Sequence, residues 1–208
     1  TPQDITQTAL VVSNLLGSNE LRGKVKMVLA VGFAWGAKPE IQRVGDILVA
    51  EKFVSAGHVR DSGKLEIRGA TPQCPLRTSF NSLLSKDWPR KSQTDFANIR
   101  IPEEPRRPTV YLGTVISLPA LIDDKARATF WIEHPHIVHH KPIGGEMELY
   151  QIAAAADRHR VHWFLSKAIC DFGGLAGAKN KDDQPLAAAA AADFADWLLR
   201  QTIMDAIL

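Results

Sequence analysis

Apolar residues between positions 4 and 16 recur at helical spacing, with Asp4 placed as an N-cap and Gly17 just past the last apolar position. The pattern predicts an amphipathic helix. Residues 25–31 are almost continuously apolar and run into Gly32-Phe-Ala-Trp-Gly36, which predicts a strand buried on both faces that enters a glycine-bounded turn. A second strand is expected over 45–54, introduced by a turn, and a short third one over 64–68 after Asp61-Ser-Gly63. Successive strands without an intervening helix imply a mixed sheet. Residues 71–108 are richer in Pro, Ser and charge and read as a surface excursion within one domain, with a short helix at 78–85 and an irregular stretch from Pro102 to Pro108. The buried-strand pattern returns at 109–117. Behind a Gly144-Gly145 turn, residues 148–158 have the alanine-rich composition of a packed helix, and 161–169 is another strand that stops at Cys170-Asp171 and a Gly173-Gly174 pair. Residues 185–208 predict a long terminal helix, with Pro185 in its first turn and Leu186, Phe194, Trp197, Leu198 and Ile203 forming much of its apolar face. The six alanines at 187–192 suit close packing of that helix on a sheet.

Composition narrows the class without changing this outline. A chain of 208 residues with 45% hydrophobic and 23% charged positions can bury a core, which excludes disorder as its dominant state. Twenty-five Lys and Arg against 23 Asp and Glu leave a net charge of +2, too balanced for a nucleic-acid partner to be expected from bulk charge. Two cysteines, Cys74 and Cys170, provide neither a disulfide framework nor a cysteine-rich zinc site, and the expected location is cytoplasmic. No apolar run approaches the ~20 residues that span a bilayer, and the first residues do not form a secretory leader, so no membrane partner is expected.

Three polar clusters stand near predicted element ends: Gly32 to Gly36, Glu146-Met147-Glu148, and Asp171 with its glycines. In open α/β sheets ligands gather at the carboxyl ends of strands. Gly144-Gly-Glu-Met-Glu148, then Lys167-Ala-Ile-Cys-Asp171 after a helix and a strand, then Lys181-Asp-Asp-Gln-Pro185 and an alanine-rich helix, together resemble the nucleoside phosphorylase/nucleosidase superfamily. That superfamily includes purine nucleoside phosphorylases, uridine phosphorylases and methylthioadenosine/S-adenosylhomocysteine nucleosidases. The resemblance extends to the Gly-x-Ala-x-Gly segment before Val44-Gly-Asp-Ile-Leu-Val-Ala50 and to the strand at 113–117. It implies an α/β fold, a three-layer α/β/α domain with a central mixed sheet, phosphorylase/hydrolase-like, over residues 1–208. It also implies cleavage of the N-glycosidic bond of a purine nucleoside or nucleotide, a small-molecule partner, no cofactor (phosphate as co-substrate in a phosphorylase) and no metal, and a homo-oligomer. The domain is expected to lack the family's N-terminal strands, which supply its phosphate loop or the Glu that activates water. A place as an effector or sensor module of a larger signalling or defence protein belongs to the same expectation.

On that resemblance Asp171 matches the acid that assists the departing base, since an oxocarbenium-like sugar forms more readily when a base nitrogen is protonated or hydrogen-bonded. Phe172 and apolar neighbours are expected to desolvate it and help it hold a proton. Glu148 matches the carboxylate that accepts hydrogen bonds from the ribose hydroxyls, Met147 the residue against the sugar face, and Glu146 a residue that fixes the turn and lines the pocket. Phe33, Ala34 and Trp35 complete the expected substrate-binding set. The sequence departs from phosphorylases where they carry a phosphate-binding Arg and Ser or Thr; Ala30 and Phe33 stand there, and neither can donate a charge-assisted hydrogen bond to phosphate. Hydrolysis is therefore favoured over phosphorolysis. Trp35 stands where nucleosidases have Gly, and its indole would either stack on a base or fill the space a base needs. The rival reading is a catalytically degenerate nucleoside-binding or assembly module.

Other signals carry less. His134, His136, His139 and His140 could offer imidazoles to a metal, but no local carboxylate or cysteine set completes a site apart from Glu133, and a solvated histidine-rich loop is the preferred reading. Cys170 has no local base to make it a nucleophile and reads as a small buried hydrophobe. Arg100, Arg106 and Arg107 could meet a polyphosphate or an acidic partner; interleaved with Glu103 and Glu104, they read as a solvated charged loop.

Overall fold

The structure, a computed structural model, describes residues 5–55, 59–61, 65–67, 74, 108–118 and 120–200. In chain order these form α1 (Ile5–Gly17), β1 (Met27–Gly36), β2 (Ile47–Ser55), the short strands β3 (Val59–Asp61) and β4 (Leu65–Ile67), and β5 (Val110–Ser117). Then come α2 (Lys125–Glu133), a single 3-10 turn (Val138–His140), β6 (Gly144–Glu146), α3 (Leu149–His159), β7 (His162–Asp171) and α4 (Asp183–Leu199).

The mixed sheet is present and its edges meet. Its order is β1-β6-β5-β2-β7, with β7 pairing back to β1, while β3 and β4 form a separate antiparallel pair. β1 runs parallel to β7 from Met27 opposite His162 to Trp35 opposite Asp171, β2 runs parallel to β5, and β2 crosses antiparallel to β7. Both β1 and β7 therefore deliver their carboxyl ends to the same place. α3 and α4 pack on β7 and β1, and α1 packs on α3; β1 is not buried on both faces as expected, Val31 being 41% exposed, whereas β2 and β7 are buried along most of their length. That explains the continuous apolar runs at 47–50 and 163–165. Phe53 lies edge-on to Trp163 at 5.5 Å and to Tyr150 at 6.5 Å, which joins β2, β7 and α3 through contacts worth about 0.5–1.5 kcal/mol each. The alanine run behaves as expected: Ala187, Ala190 and Ala191 are buried in the same core, their small side chains letting α4 approach the sheet.

Several boundaries differ from expectation. Gly32 to Gly36 is the second half of β1, not a turn, because it is paired to β7 on one side and, at Trp35 and Gly36, to β6 on the other. Gly144-Gly145 is likewise strand and not turn. A β-carbon on Gly144 would sit 2.3 Å from the Trp35 carbonyl oxygen and 2.5 Å from a Leu48 methyl, so glycine is required by the close approach of β1 and β6. α2 is an additional helix; its signal was Asp124, whose carboxylate accepts the Arg127 N–H at 2.9 Å as an N-cap. The expected turn before β2 is real: Asp46 accepts the Arg43 N–H and the Thr109 N–H, both at 2.8 Å, tying it to the start of β5. The expected helix at 78–85, the arginines at 100, 106 and 107, the Asp4 cap and the 201–208 end of the terminal helix lie outside the described residues. Among the described residues no helix is long and apolar enough to cross a membrane.

Gly144→Ala is expected to destabilise the fold by at least about 1–3 kcal/mol, because the obstruction is backbone and not a flexible side chain. A thermal midpoint indistinguishable from the parent would contradict this packing.

Candidate active site

At the carboxyl ends of β1 and β7 lies a cleft of about 320 Å³. Phe33, Ala34 and Trp35 from β1, Glu146, Met147 and Glu148 from β6 and the start of α3, and Cys170 and Asp171 from β7 all line it. Every residue singled out for the site in the sequence is thus brought to one cavity, although three separate strands carry them. The register of β1 on β7 slips by one residue between Ala34 and Trp35, so that Trp35 faces Asp171. A bulge of this kind re-aims side chains, and here both Cys170 and Asp171 reach the cleft.

Glu146 is buried, and its carboxylate is the local organiser. It accepts the Glu148 N–H at 2.8 Å and the Leu149 N–H at 2.9 Å, while the Ser117 hydroxyl accepts the Tyr150 N–H at 3.0 Å. The first donors of α3, which have no partner inside a helix, are satisfied in this way. Glu148 is left free of capping duty. Its side chain pairs with Lys167 Nζ, which also lies 3.1 Å from Glu146. Burial pushes the Glu146 carboxyl above its ordinary value, against the pull of Lys167 and of the backbone N–H at Glu148. Burial lowers Lys167, but the two carboxylates outweigh it and hold the ammonium above its ordinary value. Lys167 was missed as a functional residue; a lysine in the middle of a largely apolar strand was its signal.

Asp171 is surrounded by donors. The Gly173 N–H donates to it at 2.7 Å, the Cys170 thiol lies 3.3 Å away, and Lys179 Nζ is 3.4 Å from the same carboxylate oxygen as the thiol. Phe172 packs against the main core and is not one of the residues that line the cleft. Lys179, also missed, lines the cleft beside Asp171. Burial, reinforced by the charge of Asp171, pushes the Cys170 thiol up to about 12, which fits the reading of Cys170 as no nucleophile.

Trp35 is only 6% exposed and packs with Val54, Ile116, Leu118, Ile122, Ala128 and Ile137 in a second cluster. Its six-membered ring lies where a Gly145 β-carbon would be, 2.5 Å from that position. It forms a floor to the cleft, which remains open beside it. Ala30 is buried in the main core, and Phe33, 46% exposed, stands at the cleft edge. Of the histidines, His134 and His136 stack at 5.6 Å and burial lowers the pKa of His134. Among the described residues no group of His, Cys, Asp and Glu is placed to hold a metal ion.

No family model matches the chain. It is 25% identical over 179 residues to a death domain-containing ATP nucleosidase of Amphimedon queenslandica, covering 82% of this chain and 33% of the relative. The chain spans about a third of the length of this curated relative. Among solved structures, the methylthioadenosine/S-adenosylhomocysteine nucleosidase of Helicobacter pylori is similar with a TM-score of 0.63 at 17% identity, over 97% of this chain and 76% of that one. The corresponding enzyme of Neisseria meningitidis, bound to methylthio-immucillin-A, gives a TM-score of 0.66 at 12% identity, over 94% and 76%. The futalosine hydrolase of Helicobacter pylori gives 0.62 at 17% identity, over 97% and 75%. The fold is therefore the three-layer, phosphorylase/hydrolase-like α/β/α fold of these nucleosidases.

Replacing Lys167 by Met would leave the buried Glu146 charge without its cation and is expected to cost about 3–5 kcal/mol at neutral pH. Because the lysine is held above 10.5, its contribution is complete below that pH and is lost as pH rises through the higher folded value. Denaturant melts across pH 7–12 should therefore show an alkaline loss in the parent that the Met variant lacks. Parallel curves for the two proteins would contradict the pairing.

Proposed function

We propose that the chain hydrolyses the N-glycosidic bond of a purine nucleoside or nucleotide. The observation that carries this reading is the convergence of Asp171 and the Glu146-Met147-Glu148 segment on one cleft at the carboxyl ends of β1 and β7. Glu148 accepts hydrogen bonds from ribose hydroxyls, and Met147 covers the sugar face. Glu146 fixes the peptide that presents both, and Phe33, Ala34 and Trp35 border the base. Asp171 hydrogen-bonds or protonates the departing base, and the ammonium of Lys179 offsets charge at the same oxygen.

Hydrolysis is preferred over phosphorolysis on charge grounds. Lys179 is the cation that lines the cleft among the described residues, Lys167 lies beneath it, and both are paired to carboxylates. A phosphate dianion would have to displace them, and the positions of Ala30 and Phe33 offer no replacement. The scheme calls for no metal or organic cofactor. The ATP nucleosidase relative supports nucleotides as substrates and a setting within a larger signalling protein. A single domain of this type, a cytoplasmic location and a homo-oligomer belong to the same proposal; exposed Leu10, Val11 and Leu15 on α1 offer an apolar patch for self-association.

Incubation of the full chain with adenosine, methylthioadenosine and ATP, with and without phosphate, and chromatography of free base, tests it. Asp171→Asn should lower turnover by about 10²–10⁴-fold with its fold intact by circular dichroism. Unchanged release by that variant would remove Asp171 from the role, and release that strictly requires phosphate would replace hydrolysis by phosphorolysis.

A further inference from the structure

At the opposite end of β1 and β7, about 30 Å along the strands from the active cleft, lies a second cleft of about 540 Å³. It is walled by the end of α1 and the loop after it, by the end of α3, and by the first residues leading into β1 and β7. Among the described residues, the charged side chains that line it are Arg22, Lys26, Arg158 and Arg160, joined by His159 and His162, and no acidic residue lines it. The whole chain carries a net charge of only +2, so these four guanidinium and ammonium groups are a concentration against an otherwise net-acidic remainder.

Part of this charge has a local explanation. Arg158 and His159 sit in the last turn of α3, where cations complement the helix carbonyls. Arg22, Lys26 and His162 do not belong to that helix, and folding brings them from two other segments toward charges of their own sign. Arg160 adds a second observation. It adopts the left-handed conformation, φ 56 and ψ 39, that closes α3. Glycine is the residue that this position favours, and its N–H already makes the closing bonds to Ala156 and Asp157. The arginine side chain contributes nothing to that closure that glycine would not. Neither Arg22, Lys26, Arg158 nor Arg160 forms an ion pair among those found between described residues.

We propose that this cleft is a second, non-catalytic binding site for a chain of closely spaced phosphates, an oligophosphate or the polyphosphate tail of a nucleotide. Its volume suits a ligand of that size, and guanidinium groups from two segments match adjacent phosphate oxygens bidentately. The site is independent of the glycosidase reading, because an inorganic oligophosphate has no glycosidic bond to cleave.

Titration calorimetry of the full chain with inorganic tripolyphosphate tests it. Binding is expected, weakened by added salt, and reduced about tenfold in each of Arg160→Gly and Arg22→Ser. Arg160→Gly is the decisive variant, since glycine suits the backbone there: its thermal midpoint should be equal or higher while affinity falls. Lys179→Met, in the active cleft, should bind tripolyphosphate like the parent. Absence of binding, affinity unchanged in Arg160→Gly, or a loss confined to Lys179→Met would each overturn the proposal. Repeating the titration with ATP in a Glu148→Ala background separates the two sources. Tighter binding than tripolyphosphate that is lost with Arg160→Gly identifies a nucleotide tail, and equal binding that is also lost identifies the phosphate chain alone.

Discussion

The ammonium of Lys167 is the point on which the site depends. It comes from the buried middle of β7, between Ser166 and Ala168, and it meets Glu146 at the end of β6 and Glu148 at the start of α3. Desolvating such charges costs several kcal/mol per ion, so they persist only where geometry supplies each with partners. Here the partners are supplied fully: Glu146 takes two helix N–H groups, a serine hydroxyl and the lysine. One carboxylate thus ends a strand, starts a helix and neutralises a buried cation.

The cost of that arrangement is borne by residues that contribute no polar atoms. Gly144 and Gly145 leave room for β6 to lie against Trp35, and the indole then seals the floor between the two core clusters. Closure of the sheet from β7 back to β1 brings Asp171 beside Trp35. The cleft is therefore a product of strand register: a one-residue slip in β7 would take Asp171 out of its place opposite Trp35. The same two strands begin at the basic cleft, so the molecule carries opposite chemistry at the two ends of one strand pair: paired carboxylates at one, and at the other guanidinium groups without an ion pair among the described residues.

Much of this was legible from residue pattern. The helix over α1, the buried runs of β2, β5 and β7 and the alanine face of α4 follow from periodicity, because burial on one or both faces leaves a direct mark on side-chain type. Glu146, Met147, Glu148 and Asp171 were legible because polar groups interrupt apolar runs near strand ends. The glycine segments were misread as turns: glycine marks either a turn or a close approach, and only the partner strand distinguishes the two. α2 escaped because its exposed surface lacks a strong apolar stripe, leaving only the Asp124 cap as a signal.

The sequence by itself determined which segments must be buried, that the sheet is mixed, and which polar residues end its strands. Only the tertiary structure decided that the sheet closes on itself, that Trp35 lies beneath the cleft, and that Lys167 and Lys179 join the carboxylates. The reason is the range of the interactions. Periodicity records each residue's relation to solvent, which is local to its own element, whereas pairing of charges and strands depends on register between segments far apart in the chain. The cations at positions 22, 26, 158 and 160 make the same point, since they form a cleft only after α1, α3, β1 and β7 have packed.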